Sequence, residues 1–168
     1  YYADEKLQAI ELPYKDNELS MLVFLPKDTE GIRGSEGTLT AESLNVLLSK
    51  MRTEKVDVYF PKFKMTWGTF VLNNALIELG MPDAFVQGEA DFSGINGKRN
   101  LWISKVFHQA FIEVNEEGTE AAAGTAVVLK KSIELPVVFY ADHPFIFIIK
   151  DNRSGSILFM GRLTNPAE

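Results

Sequence analysis

The chain has 168 residues, 46% of them apolar, with 17 basic against 23 acidic side chains, a net charge of −6 and no cysteine. That length and apolar fraction suit one domain with a sizeable core. The acidic balance, with a pI near 5.0, argues against nucleic acid or an anionic membrane as the main partner, and the lack of cysteine excludes a disulfide framework, a thiol nucleophile and a cysteine metal site.

Tyr1-Tyr2-Ala3-Asp4-Glu5 does not read as a signal peptide, and no segment is apolar for long enough to cross a bilayer. Leu7 to Leu12 and Leu19 to Leu25 are apolar runs joined by Pro13-Tyr14-Lys15-Asp16-Asn17-Glu18, the spacing and turn chemistry of an antiparallel hairpin. Met21-Leu22-Val23-Phe24-Leu25 is apolar at every position, which predicts a strand covered on both faces. Thr29 to Thr38 is rich in glycine and reads as an exposed loop. Thr40 then caps a helix whose Leu44, Leu47, Leu48 and Met51 share one face. Val56 to Phe60 returns to strand, is broken by Pro61, and continues as Phe63 to Trp67; Phe63 and Trp67 are read as core. A second amphipathic helix carries Leu72, Leu76 and Leu79 and stops at Gly80 and Pro82. Asp91-Phe92-Ser93-Gly94-Ile95 lies in a connecting segment, and Leu101 to Val114 reads as one long strand.

The stretch from Glu116 to Ser132 is ambiguous on propensity alone. Its alanines and acids suit the first turns of a helix, while Gly124-Thr125 and Val127-Val128 favour an extended chain. Beyond it, Pro136 to Phe139, Phe145 to Ile149 and Ile157 to Leu163 are strands, the last two joined as a hairpin by Asp151-Asn152-Arg153-Ser154-Gly155. The whole is an α+β chain with more strand than helix. It begins inside what reads as a strand, and its apolar strands need more covering than two helices give, so a preceding partner segment is expected. His108 and His143 lack close-spaced ligand partners, and no nucleophile, base or cofactor motif is present; no metal site, no cofactor and no enzymatic activity are expected.

Phe139-Tyr140-Ala141-Asp142-His143-Pro144-Phe145-Ile146-Phe147-Ile148-Ile149 resembles the signature that serpins carry near their C-terminus. Ala90-Asp91-Phe92-Ser93-Gly94-Ile95, Glu11-Leu12-Pro13-Tyr14, and Leu158-Phe159-Met160-Gly161-Arg162 with Asn165-Pro166 are similar to further serpin blocks. The resemblance runs across essentially the whole chain. It implies the serpin fold of mixed and antiparallel sheets with helices, residues 1–168 being the C-terminal part of a single domain whose structural partner is the N-terminal part of the same serpin. It also implies an inhibitor of serine proteases. In that family a protease attacks an exposed loop and forms an acyl-enzyme; the cleaved loop then enters the main sheet as a new strand, and the attached protease is deformed before water can release it.

On this resemblance residues 116–135 are the reactive-centre loop, and Glu116, Glu117, Gly118, Thr119, Glu120, Ala121, Ala122, Ala123, Gly124 and Thr125 form its hinge. A segment that must slide between two strands needs small side chains, which Gly118, Ala121 to Ala123 and Gly124 supply. Each ladder hydrogen bond it gains nets roughly 1 kcal/mol, so about a dozen can drive a one-way change. The cleaved bond has two readings. Residue chemistry points to Lys131-Ser132 and a trypsin-like protease, with Lys130 as the next choice; the commonest loop length places the cut between Ser132 and Ile133, toward an elastase-like target. Glu116 and Lys62 resemble the salt-bridge pair that closes the top of the main sheet. His108 resembles the histidine of the region where that sheet opens, with a satisfied core histidine as the alternative, and His143 beside Pro144 reads as structural. A non-inhibitory serpin, acting as carrier, chaperone or storage protein, is the second reading. Secretion is expected from the family, an intracellular location stays open, and a glycosaminoglycan site cannot be read from these residues.

Overall fold

The computed structural model describes residues 1–29, 31–115 and 136–166. They fall into two compact units, one made of residues 1–63 with the chain from Val114 onward, the other of residues 64–113.

The first unit is built on a five-stranded antiparallel sheet. In chain order its strands are β1 (Tyr2–Ala3), β2 (Leu7–Pro13) and β3 (Leu19–Pro26), then from the far end of the sequence β8 (Phe145–Asp151) and β9 (Ile157–Leu163), arranged β1-β2-β3-β8-β9. The expected β2–β3 hairpin is present, with Ile10 opposite Val23 and Leu12 opposite Met21. Its turn places Asp16 and Asn17 at φ of 61° and 56°, a left-handed conformation that short polar side chains tolerate. The β8–β9 hairpin closes at Asp151, whose carboxylate accepts from the backbone N–H groups of Arg153 and Ser154.

β3 is central and covered on both faces, as its unbroken apolar run predicts: Met21, Leu22, Val23, Phe24 and Leu25 are all between 0% and 3% exposed. On one face Leu22 and Phe24 pack with Ala9, Ile146, Ile148 and Ile32, under Leu44, Leu47, Leu48 and Met51. Those last leucines belong to helix α2 (Ala41–Lys50). Thr40 caps it as expected: its Oγ accepts from the Ser43 N–H at 3.1 Å while the Ser43 hydroxyl accepts from the Thr40 N–H at 2.8 Å, two terminal donors satisfied reciprocally. The other face carries aromatic rings, Phe60 at 5.1 Å from Phe145 and Phe63 at 5.6 Å from Phe147.

The segment expected as an exposed loop before α2 is instead a helix, α1 (Ile32–Thr38). Glycine costs roughly 1 kcal/mol in a helix, but two contacts oppose that cost. Ile32 is buried in the core cluster, and Glu36 receives both of its carboxylate oxygens' bonds, at 2.8 and 3.0 Å, from Arg162 on β9. The first unit also holds a two-stranded parallel pair of β4 (Val56–Tyr59) and β7 (Val137–Tyr140), in register from Val56 opposite Val137 to Tyr59 opposite Tyr140.

The second unit is organised by the paired strands β5 (Phe63–Val71) and β6 (Phe107–Val114). β6 is shorter than the long strand expected from Leu101. The backbone before it is engaged elsewhere: Ile103 N–H donates to the Ala84 carbonyl, and the Asn73 side chain bonds both the Ser104 carbonyl and the Val106 N–H at 2.8 and 2.9 Å. Asn73 also opens α3 (Asn73–Glu78), which ends before Gly80 at φ 101°; Leu72 and Leu76 are half-buried, while Leu79 points out at 81% exposure. The connecting segment at Asp91 contains one helical turn, α4 (Ser93–Asn96), entered by an Asp91 carboxylate that accepts from the Ser93 N–H and pairs with Arg99 at 2.6 Å. Trp67, expected in a core, is 58% exposed among the described residues and stacked on Phe70 at 5.6 Å, although at period 2 it shares the strand face of Phe63. Phe63 does lie in a core, among Phe60, Phe145 and Phe147.

Candidate functional site

The residues singled out for the hinge, Glu116 to Thr125, and for the cleaved bond, Lys130, Lys131, Ser132 and Ile133, lie outside the described residues. What can be built is the frame at each end of that stretch. On the leading side is β6. Here Lys64 on β5 reaches Glu113 at 3.6 Å and stands over the Phe111 ring at 5.3 Å. Both charged side chains are about half exposed or more, so the pair is worth under about 1 kcal/mol. His108 stands on β6, exposed among the described residues. Lys62 is exposed directly after Pro61, at the junction of β4 and β5; its expected partner Glu116 lies outside the described residues.

On the trailing side is β7. Phe139 is fully buried, the Tyr140 ring lies tilted against Tyr59 at 5.2 Å, and the Ala141 N–H extends the ladder to the Tyr59 carbonyl at 2.9 Å. Four parallel residue pairs and this bond attach the strand to β4. The chain then turns through Asp142, His143 and Pro144 into β8. His143 is structural here, as expected: its Nδ1 meets the Asp142 carboxylate at 2.7 Å and its Nε2 meets the Pro26 carbonyl at 2.5 Å.

One polar cluster escaped the sequence reading. Lys150 on β8 donates to Glu11 on β2 at 2.9 Å and to the Asn152 side-chain oxygen at 2.8 Å. The buried Ser20 hydroxyl donates to that same oxygen at 2.8 Å, and the Asn152 amide donates to the Asn17 carbonyl. Burial pushes the Glu11 carboxyl up, but the hydrogen bond and charge of Lys150, with the Ser20 hydroxyl close by, outweigh it, and the net displacement is below the ordinary glutamate value. The cluster rivets the β2–β3 turn to the β8–β9 turn. Ser20, a hydroxyl inside an otherwise apolar run, was the available signal, because a buried hydroxyl needs a partner.

Elsewhere an open groove of about 370 Å³ lies between β1 and α2, lined by Tyr2, Asp4, Thr40, Ser43, Leu47 and Lys50 among others. Four of its polar residues bond one another: Tyr2 donates to Asp4 at 2.9 Å, and Thr40 and Ser43 form the helix cap. Among the described residues no three His, Asp or Glu side chains gather to hold a metal, and no helix is long and apolar enough to cross a membrane.

Comparison with known proteins places this frame. The family profile described as serpin (serine protease inhibitor) matches residues 1–166. Serpin B10 of Papio anubis is 46% identical over 167 residues, covering 96% of this chain and 42% of that protein. The leukocyte elastase inhibitor of Homo sapiens is 44% identical over 173 residues, covering 99% of this chain and 45% of that protein. The crystal structure of tengpin, a thermophilic serpin in its native state, superposes with a TM-score of 0.72 at 32% identity, over 98% of this chain and 43% of that one. The chain thus spans less than half the length of the relatives it matches.

Proposed function

The chain belongs to the serpin family, and on that premise we propose that it is the C-terminal part of a single serpin domain that inhibits serine proteases by covalent trapping. The observation that carries this reading is the likeness over 99% of the chain to a relative named for inhibiting leukocyte elastase. In this proposal residues 116–135 are the reactive-centre loop, Glu116 to Thr125 are its hinge, and the N-terminal part of the same protein supplies the rest of the sheet that the loop enters. No proline and no bulky side chain stands between Ala121 and Thr125, so the hinge suits insertion, and the protein acts as an inhibitor rather than an enzyme. Glu116 with Lys62, and His108 on β6, are assigned to the gate through which the loop enters.

The target is proposed to be a trypsin-like protease cut at Lys131-Ser132. A second reading, cleavage at Ser132-Ile133 by an elastase-like protease, is favoured by loop length and by the name of the human relative. The expected secretion gains no support from these relatives, and the proposal is confined to the chemistry. Incubating the complete protein with trypsin and, separately, with elastase tests it: a complex that survives SDS with either enzyme supports trapping, and the enzyme that forms it chooses the bond. A cleaved band without a complex, for both enzymes, would replace inhibitor by a non-inhibitory serpin.

A further inference from the structure

Asparagine followed by glycine is the pairing in which a side chain can react with its own backbone, because glycine sets no Cβ beside the attacking nitrogen and lets the chain bend toward the carboxamide. Asn96-Gly97 is the one such pair in the sequence. It stands at the end of α4, exposed among the described residues. The Asn96 Oδ1 accepts from the Lys98 N–H at 3.0 Å, so the carboxamide is folded back along the chain past the Gly97 nitrogen. The same N–H polarises the carbonyl and sits where negative charge would gather if Cγ were attacked. Gly97 is left-handed at φ 72°, and a Cβ added to it would meet nothing within 4 Å, so the reacting peptide is uncrowded. Two bonds oppose the reaction: the Gly97 N–H donates to the Ser93 carbonyl at 2.7 Å, closing α4, and the Asn96 Nδ2 donates to the Asn100 Oδ1 at 2.9 Å.

We propose that Asn96 is a site of spontaneous deamidation and that α4 is its gate. Released from Ser93, the Gly97 nitrogen loses its proton to hydroxide and attacks the Asn96 Cγ. The Cγ–Nδ2 bond breaks, and Nδ2 takes a proton from water and leaves as ammonia. Water then opens the cyclic imide. Attack at Cγ leaves aspartate at position 96; attack at the main-chain carbonyl leaves isoaspartate, whose backbone runs through the side chain and is longer by a carbon. Overall, water replaces ammonia, and no oxidant or further reactant is needed. Either product adds a negative charge to the segment between α3 and β6 and removes the N–H that Asn100 accepts. Isoaspartate also shifts the Gly97 N–H out of register with Ser93. Because α4 is a single turn, it opens locally without global unfolding, and the folded protein reacts, more slowly than the unfolded chain. Asn73 and Asn152 are placed otherwise: each precedes a residue with a side chain, and their amides are held by the Ser104 and Asn17 carbonyls.

The reaction does not depend on whether the protein traps a protease. The test incubates the complete protein in mildly alkaline buffer, folded and in guanidinium chloride, and follows its peptides by mass and chromatography. The peptide carrying Asn96 is expected to be the first to change from amide to acid, and to split into aspartate and isoaspartate forms. Loss of one hydrogen bond's protection sets the scale, so the folded rate should be at least about fivefold below the denatured rate. Asn100→Ala frees the Asn96 amide without touching a reacting atom, and should raise the folded rate by up to about fivefold while leaving the denatured rate unchanged. Deamidation of another asparagine ahead of Asn96, or an intact Asn96 in the folded protein after many half-lives of the denatured reaction, overturns the site. Equal folded and denatured rates, or an Asn100→Ala rate no higher than wild type, overturn the gate. The two wild-type rates decide the matter even where the variant does not fold.

Discussion

Gly161 on β9 offers a sharp test of the packing argument. It lies opposite Phe147 on β8, and a Cβ added there would stand 2.5 Å from the ring Cζ and 2.9 Å from Cε1. Real Cβ atoms do not approach carbon so closely, so the ring must move. It has little freedom to do so, being 2% exposed and packed at 5.6 Å against the Phe63 ring. Overpacking of this kind costs about 1–3 kcal/mol, while alanine recovers about 0.5–1 kcal/mol of the backbone entropy that glycine loses in a strand. Gly161→Ala should therefore destabilise the complete protein by about 1–2 kcal/mol, read as a lower urea midpoint at unchanged slope. The strain should be relieved by shortening its cause, so Gly161→Ala with Phe147→Leu should cost less than the sum of the two single changes. A Gly161→Ala protein as stable as wild type, or strict additivity in the double variant, would refute the claim that the ring is pinned.

Three further outcomes follow from charges and from the proposed loop. The Glu11 carboxyl is displaced downward in the folded state, so it adds stability above its unfolded value of about 4.5 that is lost as pH falls through the lower folded value; Glu11→Gln should flatten the acid limb of a stability profile below about pH 4.5, and an unaltered limb would remove Glu11 from the balance. Ala123→Pro puts a residue without an N–H where the inserting strand needs a ladder bond, and should convert inhibition into turnover, seen as cleaved protein without complex; an undiminished yield of complex would contradict the hinge assignment. Lys131→Ala should abolish complex formation with trypsin while leaving the fold intact by circular dichroism, and retained inhibition would shift the cut to Ser132-Ile133.

Where the sequence was informative, the reason was local. Met21 to Leu25 has no polar residue to turn toward water, so two covered faces follow from the residues themselves, and Thr40 with Ser43 caps a helix through atoms three residues apart. Where it was not, the decisive partner lay far along the chain. α1 is hidden behind glycines because its support comes from Arg162 on β9 and from the core under Ile32. The shortening of β6 depends on Asn73, whose side chain takes the bonds that Ser104 and Val106 would otherwise offer to a ladder. Trp67 lies on the strand face of Phe63 yet is exposed among the described residues, because alternation tells which residues share a face, not how far along that face the cover extends. The stretch proposed as the loop was proposed from composition and resemblance, since small residues, paired lysines and flanking acids need no partner to be noticed; it lies outside the described residues. The His143 contact with Pro26 and the cluster at Lys150 were not legible, because their acceptors on β3 and β2 come from the opposite end of the sequence.

That separation has a consequence in time. β3 pairs with β8, from Leu19 opposite Asp151 to Phe24 opposite Ile146, so the central strand of the sheet waits for a neighbour made more than 100 residues later. At ribosomal speeds of about 5–20 residues per second the wait is on the order of ten seconds, long beside the microseconds in which the β2–β3 hairpin can close. α2, emerging soon after β3, can shelter Leu22 and Phe24 early. Met21, Val23 and Leu25 have no such local cover, and through that interval the nascent chain presents an apolar strand with one unpaired edge, the period in which a holding chaperone would matter most to its yield.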